Sequence, residues 1–345
     1  MSGNIGKMED LKVYHKTILI DHTSEKHRNK FIVNWKLDDS LNFAPKAESI
    51  DSAAPLNAED IINYSDKIIS HYQKIYGSNI VFVFKGVGVM LYKDLDIVIK
   101  ALKERNCKTA IDSVFLRKAY FYEQLNKGNL DYLSLYYKLS NNDFKPFLAM
   151  LQNLRQSIHI RLNINISSIE FDLLKVLMDE IMANDDQVSV SLSHDGNRDK
   201  NELNDLQLSL FHEMKESLIK RDQRLNLTEN WYCGLMRCYN TEGQIGDYLP
   251  EEYVREEKNH WKGWLCWAGL EQIFITHNGN VFRSSCCQDW IGNLHDYIEF
   301  PTLPVFCNKE SCYMYWNITV KKQYPVYFQP KDIVSLARIG LFQPL

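Results

Sequence analysis

The sequence lacks the long apolar run that a membrane span requires. No stretch reaches the roughly 18 to 20 residues of a transmembrane helix, and the first ten residues are mostly polar. It also lacks a dense run of Lys and Arg, and its formal net charge is −4. Nucleic-acid-binding proteins usually carry a basic patch, so these absences argue against nucleic acid and membrane as partners. Since no signal peptide is recognisable, we expect a cytoplasmic protein.

Cysteine is scarce in the first two thirds of the chain. Seven of the eight cysteines lie at or beyond Cys233, and Cys107 alone precedes it. In a reducing compartment, cysteines gathered in a short stretch hold metal more often than they form disulfides. The asymmetry indicates two domains, with the metal chemistry in the second.

Strand and helix patterns alternate six times between residues 31 and 221. The predicted strands are 31–37, 79–84, 108–114, 131–138, 158–164 and 187–192, and helices are predicted from Asn57 and at 93–105, 117–126, 143–156, 168–182 and 202–221. Strict alternation requires parallel strands with right-handed crossovers, and six units are too few for a closed eight-stranded barrel. We therefore expect an α/β fold with a partial (β/α)6 barrel, an open doubly wound sheet being the alternative. In either fold, ligands bind at the carboxyl ends of the strands.

The periodic pattern stops near residue 225, where short strands rich in Trp, Gly and Cys begin. We divide the chain into an N-terminal extension (1–30), the barrel (31–225), a Cys-rich α+β domain (226–330) and a tail (331–345).

Four cysteines surround a predicted β-hairpin in the Cys-rich domain. Cys266 precedes the hairpin, Gly279 lies at its turn, Cys286 follows it, and Cys307 and Cys312 close the pattern. Four thiolates can hold an iron–sulfur cluster or a zinc ion. We expect one metal centre bound by these four cysteines.

The order of elements and this cysteine pattern resemble the radical SAM superfamily with a SPASM or twitch C-terminal extension. The resemblance implies one auxiliary 4Fe–4S cluster on the four cysteines, with zinc as the alternative. The match has departures: six residues separate Gly279 from Cys286, where the family often has four, and Met314 stands where a further Cys is common. A second cluster would need ligands from Cys233, Cys238 or Cys287.

The first domain departs further from the family pattern. The loop after the first strand, 38–56, contains no Cys, whereas the family places Cys-x3-Cys-x2-Cys there to hold the cluster that cleaves S-adenosylmethionine. In two possible registers, those positions are occupied by Leu41, Pro45 and Glu48, or by Ser40, Ala44 and Ala47. Thiolates hold such clusters, so we expect no cluster in this loop. The absence also counts against S-adenosylmethionine binding.

The family's Gly-Gly-Glu-Pro motif after the second strand is also altered, since the chain reads Lys-Gly-Val-Gly-Val from Lys85. Candidate residues for cofactor or ligand binding at this edge are Lys85, Gly86, Gly88, Arg161 and His194. Three of them have an alternative structural interpretation: Gly86 and Gly88 permit a tight turn, and Arg161 pairs with Asp112 instead of with an anion.

The resemblance leads to a functional hypothesis. We expect a degenerate radical SAM-like iron–sulfur protein that acts as a substrate-binding or accessory subunit, with a peptide or metabolite as substrate and a modifying enzyme as partner. The alternatives are an active radical SAM-type enzyme whose cluster cysteines have been replaced, and a zinc-stabilised structural or binding protein. The main pocket is expected between the carboxyl edge of the strands and the module at 226–320.

Overall fold

The computed structural model describes residues 17–37, 56–86, 88–114, 120–139, 144–154, 158–166, 170–183, 188–194, 203–227 and 231–325. Within these ranges, no helix is long and apolar enough to cross a bilayer.

The first part of the chain alternates strands with helices. The strands are β1 (Leu19–His22), β2 (Phe31–Lys36), β3 (Ile80–Lys85), β4 (Lys108–Val114), β5 (Tyr132–Tyr137), β6 (His159–Ile166) and β7 (Val188–His194). The helices are α1 (Glu25–Arg28), α2 (Ala58–Tyr76), α3 (Leu95–Glu104), α4 (Tyr120–Lys127), α5 (Phe144–Leu154), α6 (Phe171–Ala183) and α7 (Asp205–Arg224).

The second part consists of short elements. The strands are β8 (Met236–Asn240), β9 (Gly243–Tyr248), β10 (Leu265–Cys266), β11 (Gln272–Ile275), β12 (Asn280–Phe282), β13 (Trp290–Asn293), β14 (Val305–Phe306) and β15 (Lys322–Gln323). Two short helices, α8 (Pro250–Arg255) and α9 (Tyr315–Ile318), lie among them.

Local sequence signals explain where the longer helices begin and end. At the start of α2, the side chain of Asn57 accepts a hydrogen bond from the Asp60 backbone N–H at 2.9 Å, which satisfies one of the helix's unpaired donors. Ile61 and Ile68, on one face of this helix, are fully buried. The helix ends at Gly77, whose φ of +59° is readily available to glycine.

The larger sheet has nine strands in the order β13-β12-β11-β2-β3-β4-β5-β6-β7. From β2 to β7 the strands are parallel and follow chain order. A doubly wound sheet reverses its order at a switch point, and the order from β2 to β7 contains no such reversal. The described strands also do not close into a barrel, because β7 and β13 end the order. The observed architecture is a mixed α/β fold with an open, mainly parallel sheet.

The two faces of this sheet have different partners. Apolar side chains that include Phe82 and Leu162 pack against the helices in the main core. On the opposite face, Ile32, Val83 and Ala110 pack against the segment 231–233. We call this second face the inner face, since the residues after α7 cover it.

The N-terminal and C-terminal parts of the chain share both sheets. In the nine-stranded sheet, β11 pairs in parallel with β2. In the six-stranded sheet, β1 lies between β8 and β15 and is antiparallel to both. Segments assigned from the sequence to the N-terminal extension and the Cys-rich domain are therefore joined by backbone hydrogen bonds.

The predicted α/β alternation is confirmed, and most differences are at element ends. The predicted helix 202–221 begins instead after Asn204, which forms a capping box with Gln207. It continues to Arg224 because Arg221 faces inward and donates to the Val188 carbonyl at 2.9 Å. The tail (331–345) and most of the loop at 38–56 lie outside the described residues.

Two isoleucines of α3 provide a test of the helix-face core. Ile99 is fully buried, whereas Ile97 is 52% exposed. We expect Ile99→Ala to lower the free energy of unfolding by about 2–5 kcal/mol, because it leaves a cavity in the core. Ile97→Ala, the matched control, should change it by less than about 0.5 kcal/mol. Urea denaturation measures both, and equal effects would contradict this assignment of faces.

Candidate functional site

A row of polar side chains crosses the inner face near the carboxyl ends of the parallel strands. The strand register places Lys85 opposite Asp112, Asp112 opposite Ser134, and Ser134 opposite Arg161. Residues directly opposite one another on neighbouring strands point to the same face. All four are buried, with exposed fractions between 5% and 8%. We call these four residues the polar row.

The polar row is extended at both ends by further polar residues. Lys36 of β2 lies opposite Lys85, and Ser189 of β7 lies opposite Arg161. The row and its neighbours thus contain Lys36, Lys85 and Arg161 as cations and Asp112 as the anion. This excess of positive charge suits a ligand that carries a negative charge.

Lys85 and Asp112 form the centre of the row. The Lys85 Nζ lies 3.8 Å from Asp112 Oδ2, which is beyond hydrogen-bond distance. Within the described part of the chain, neither Lys85 Nζ nor Asp112 Oδ1 has a hydrogen-bond partner. The Lys85 ammonium also lies over the indole ring of Trp316, a geometry that stabilises a cation.

Burial pushes both groups toward their neutral forms. It lowers the pKa of Lys85 to about 7, against the opposing effect of the Asp112 charge. Burial also raises the pKa of Asp112, although Lys85, Ser134 and Arg161 favour its charged form. Shifts of this kind, with a specific charge partner in a buried site, are typical of functional groups.

A hydrogen-bonded chain holds Trp316 over the inner face. The Trp316 Nε1 donates to Ser285 Oγ at 2.6 Å, and Ser285 Oγ donates to Asn317 Oδ1 at 3.1 Å. Gln272 Nε2 donates to the same Asn317 oxygen at 2.7 Å, and Gln272 Oε1 accepts from Asn34 Nδ2 at 3.2 Å. The chain therefore runs from β2, through β11, to α9.

The segment 231–233 covers the amino-terminal side of the polar row. Cys233 is 1% exposed, and burial raises the pKa of its thiol to about 12, against the effect of the Lys85 charge. The next residue, Gly234, has a φ of +67°, and an added Cβ would lie 2.5 Å from the His27 ring. Glycine is therefore required at the turn that positions Cys233.

The five residues predicted to bind a ligand lie at different distances from the polar row. Lys85 and Arg161 both belong to it. Gly86 is the residue after Lys85, and its φ of +144° favours glycine. Gly88 precedes a short 3-10 turn at Val89–Leu91. His194 is the last residue of β7, where its backbone lies opposite Ile166. That these residues bind a ligand stays a prediction.

The polar row could be predicted only in part from the sequence. Arg161 stands out because it interrupts an apolar strand. Ser134 and Trp316 gave no such signal, since a serine in a strand and a tryptophan near cysteines have many roles.

The four cysteines predicted to bind metal lie in one region, and all eight cysteines of the chain are free of disulfides. Cys312 interacts electrostatically with Cys266, Cys286 and Cys307. Burial raises the pKa of Cys266 to about 11 and that of Cys312 to about 12.

The arrangement of these thiols is not a formed coordination shell. Across the described residues, no three Cys, His, Asp or Glu side chains are grouped so that they could hold a metal ion. Four thiols are nevertheless the donor set that iron–sulfur clusters and zinc use. The chemistry of the residues fits such a centre, and the metal site stays a prediction.

The two adjacent cysteines, Cys286 and Cys287, lie in a turn. The Cys287 N–H donates to the Ser284 carbonyl at 3.0 Å, and Cys287 has a φ of +54°. Cys286 Sγ lies 2.8 Å from Ser284 Oγ.

A buried lysine lies close to the cysteine group. Lys322 Nζ donates to the carbonyls of Asn317, Ile318 and Val320 at 2.5, 3.1 and 2.9 Å. Its charge acts to lower the pKa of Cys266 and Cys312, against the larger effect of burial. A nearby cation of this kind favours the thiolate form that metals require.

A cavity of about 310 Å³ lies at the amino-terminal edge of the strands, where its lining includes Lys108, Asp131 and His159. Asp131 is paired with Lys103 at 2.7 Å. This is the edge opposite to that predicted for the main pocket. Most loops at the carboxyl edge lie outside the described residues, so the pocket there stays a prediction.

Comparisons with known proteins do not identify a family. No family model and no curated protein matches the chain. Among solved structures, a thiamine phosphate pyrophosphorylase from Pyrococcus furiosus aligns with a TM-score of 0.22 and 14% identity, covering 59% of this chain and 99% of that chain. A likeness this distant carries no argument about function.

The hydrogen-bonded chain under Trp316 can be tested at Gln272, its central member. Gln272→Leu removes the acceptor for Asn34 and one donor to Asn317, and so leaves buried polar groups without partners. We expect the free energy of unfolding to fall by about 1–3 kcal/mol. Gln244→Leu, on the exposed strand β9, is the matched control and should have little effect. If both variants unfold at the same urea concentration as the wild type, the role assigned to this chain is wrong.

Proposed function

We propose that the chain binds an anionic small molecule or peptide group at the polar row, on a radical SAM-like scaffold. The observation that carries this proposal is the burial of Lys85, Asp112, Ser134 and Arg161 side by side near the carboxyl ends of parallel strands. The row places two buried cationic side chains, Lys85 and Arg161, on the same face as one buried carboxyl group, Asp112.

The position of the row within the fold supports the same proposal. Ligands of parallel α/β proteins bind at the carboxyl ends of strands. Trp316 lies over Lys85, and the segment 231–233 covers the amino-terminal side of the row. The row is therefore buried, and burial strengthens electrostatic interactions with a ligand.

The finer architecture belongs to the proposal as well. We interpret the six parallel strands as a partial (β/α)6 barrel and residues 226–330 as a SPASM-like or twitch-like domain. The sequential strand order supports the first, and the electrostatic influence of Lys322 on Cys266, Cys307 and Cys312 supports the second. In this interpretation the protein is a substrate-binding or accessory subunit that works with a modifying enzyme.

The cysteine group would hold the metal centre in this proposal. Cys266, Cys286, Cys307 and Cys312 would be the ligands of one 4Fe–4S cluster, or of zinc in the alternative. A bound cluster would supply electron transfer, while the chain's own contribution is to bury the thiols and to place the Lys322 ammonium near them.

Ligand binding at the polar row can be measured with 2-hydroxyglutarate, a dicarboxylate, as the probe. Isothermal titration calorimetry should detect binding to the wild type. Lys85→Met and Arg161→Met should each weaken it by about 10- to 100-fold, as expected when a charged hydrogen-bonding partner is lost. Lys85→Arg keeps the positive charge and should retain most of the affinity.

The matched control is Lys103→Met, which removes a lysine at the opposite edge of the sheet. It should leave the affinity unchanged. Absence of any binding to the wild type, or equal weakening by Lys103→Met, would contradict the assignment of the site.

Metal content provides a separate test of the cysteine centre. Anaerobically purified protein should contain about four iron atoms per chain, the content of one 4Fe–4S cluster. Cys266→Ser and Cys307→Ser should each lose the metal, because a four-thiolate centre needs all its ligands. Cys107→Ser is the control, since that thiol is buried in the main core. Zinc would select the alternative centre, and protein without either metal would refute both.

A further inference from the structure

Three lysines are buried in the described part of the chain, and one of them differs from the other two. Lys30 Nζ donates to the Tyr232 carbonyl at 2.8 Å. Lys322 Nζ donates to three backbone carbonyls. Lys85 is 8% exposed, and its Nζ has no hydrogen-bond acceptor among the described residues. Lys30 and Lys322 thus have structural roles, which leaves the role of Lys85 to be explained.

Burial brings Lys85 close to its neutral, nucleophilic form, although Asp112 and Trp316 favour the ammonium. A buried ammonium without hydrogen-bond acceptors is unstable relative to the neutral amine, and burial lowers the pKa of Lys85 to about 7. A lysine whose pKa is lowered by burial is the kind that attacks carbonyl carbons. Asp112, 3.8 Å away, is buried as well, and burial raises its pKa, which favours the protonated form of this carboxyl group.

We propose that Lys85 forms a Schiff base with the carbonyl carbon of a small oxo acid whose carboxylate is bound by Arg161. This inference rests on the proposed anion site and names the ligand class for it. Lys85 is the nucleophile, and Arg161 binds the carboxylate. The ring of Trp316 covers the reacting nitrogen.

The step is balanced without any redox partner. The neutral Lys85 Nζ adds to the carbonyl carbon, and proton transfer from nitrogen to oxygen gives a carbinolamine. The hydroxyl group then leaves as water after it accepts a proton from Asp112, and a protonated imine forms beside the Asp112 carboxylate. The net reaction joins one amine and one carbonyl and releases one water molecule.

The geometry of the row limits the size of the oxo acid. Lys85 and Arg161 lie three strand spacings apart, so their backbones are separated by about 14 Å. Both side chains are long, and the strand register places Asp112 and Ser134 between them. A short dicarboxylic oxo acid can place its carbonyl at Lys85 and its distal carboxylate at Arg161.

Several charged or titratable groups set the pH range of the reaction. Those placed to act on Lys85 are Lys36 on β2, Asp112 on β4, Arg161 on β6 and Cys233 in the covering segment. Imine formation requires the neutral amine, so it should increase as the pH rises through about 7. An ordinary exposed lysine reaches its neutral form only near pH 10.

The experiment uses 2-oxoglutarate with sodium cyanoborohydride, which reduces an imine to a stable secondary amine. Intact-mass analysis of the full chain at neutral pH should show one adduct, and peptide mapping should place it on Lys85. Lys30 and Lys322 should remain unmodified, since their amines are fully engaged. Because the adduct is mapped on the wild-type protein, this result does not depend on whether a variant folds.

Two controls separate this inference from the proposed function. Lys85→Arg should lose the adduct with 2-oxoglutarate, because a guanidinium does not form an imine, and Lys103→Met should retain it. If 2-hydroxyglutarate binds and no adduct appears on Lys85, the Schiff base is wrong and the anion site survives. If neither compound binds, both are wrong. An adduct spread over exposed lysines, with none enriched at Lys85, also overturns the inference.

Discussion

The parallel pairing of β11 with β2 is the interaction on which the arrangement of the site depends. It places Gln272 opposite Ile32 on the inner face, where its amide joins Asn34 to Asn317. Since Asn317 and Ser285 in turn position Trp316, one strand pairing sets the cover over Lys85. A chain segment more than 230 residues away from β2 in sequence is thereby held against the carboxyl edge of the same sheet.

The cover buries the charged groups of Lys85 and Asp112, and this burial affects the stability of the fold. An ion pair taken out of water gains little or loses stability unless its geometry is good and its remaining lone pairs are satisfied. Lys85 and Asp112 meet neither condition among the described residues, because they are 3.8 Å apart and each has an atom without a hydrogen-bond partner. The pair is thus a local cost to the fold, and such costs are concentrated at sites that bind or react.

The fold was more predictable from the sequence than the site. Alternating apolar strands and amphipathic helices were recognisable because each lies within a short window, and capping residues such as Asn57 marked helix starts. The pairing of β1 with β8 and β15 was not recognisable from the sequence, because strand partners far apart in sequence leave no local signal. Arg161 stood out as a charge within an apolar strand, whereas Trp316 was predictable only once α9 was known to lie over β3. The absence of a cluster from the loop at 38–56 stays a prediction.

The two candidate centres are connected through α9. The backbone carbonyl of Asn317 accepts from Lys322, whose charge acts on the cysteine group, while the Asn317 side chain accepts from Gln272 and Ser285 beneath Trp316. Cys312 lies three residues before this helix, and its N–H donates to the Asn259 carbonyl at 3.0 Å. A displacement of Cys312 would therefore move the start of α9, and with it the ring above Lys85. The helix α9 thus follows the cysteine region directly and carries Trp316, the residue that covers Lys85. The position of the cysteine region therefore constrains the cover of the polar row.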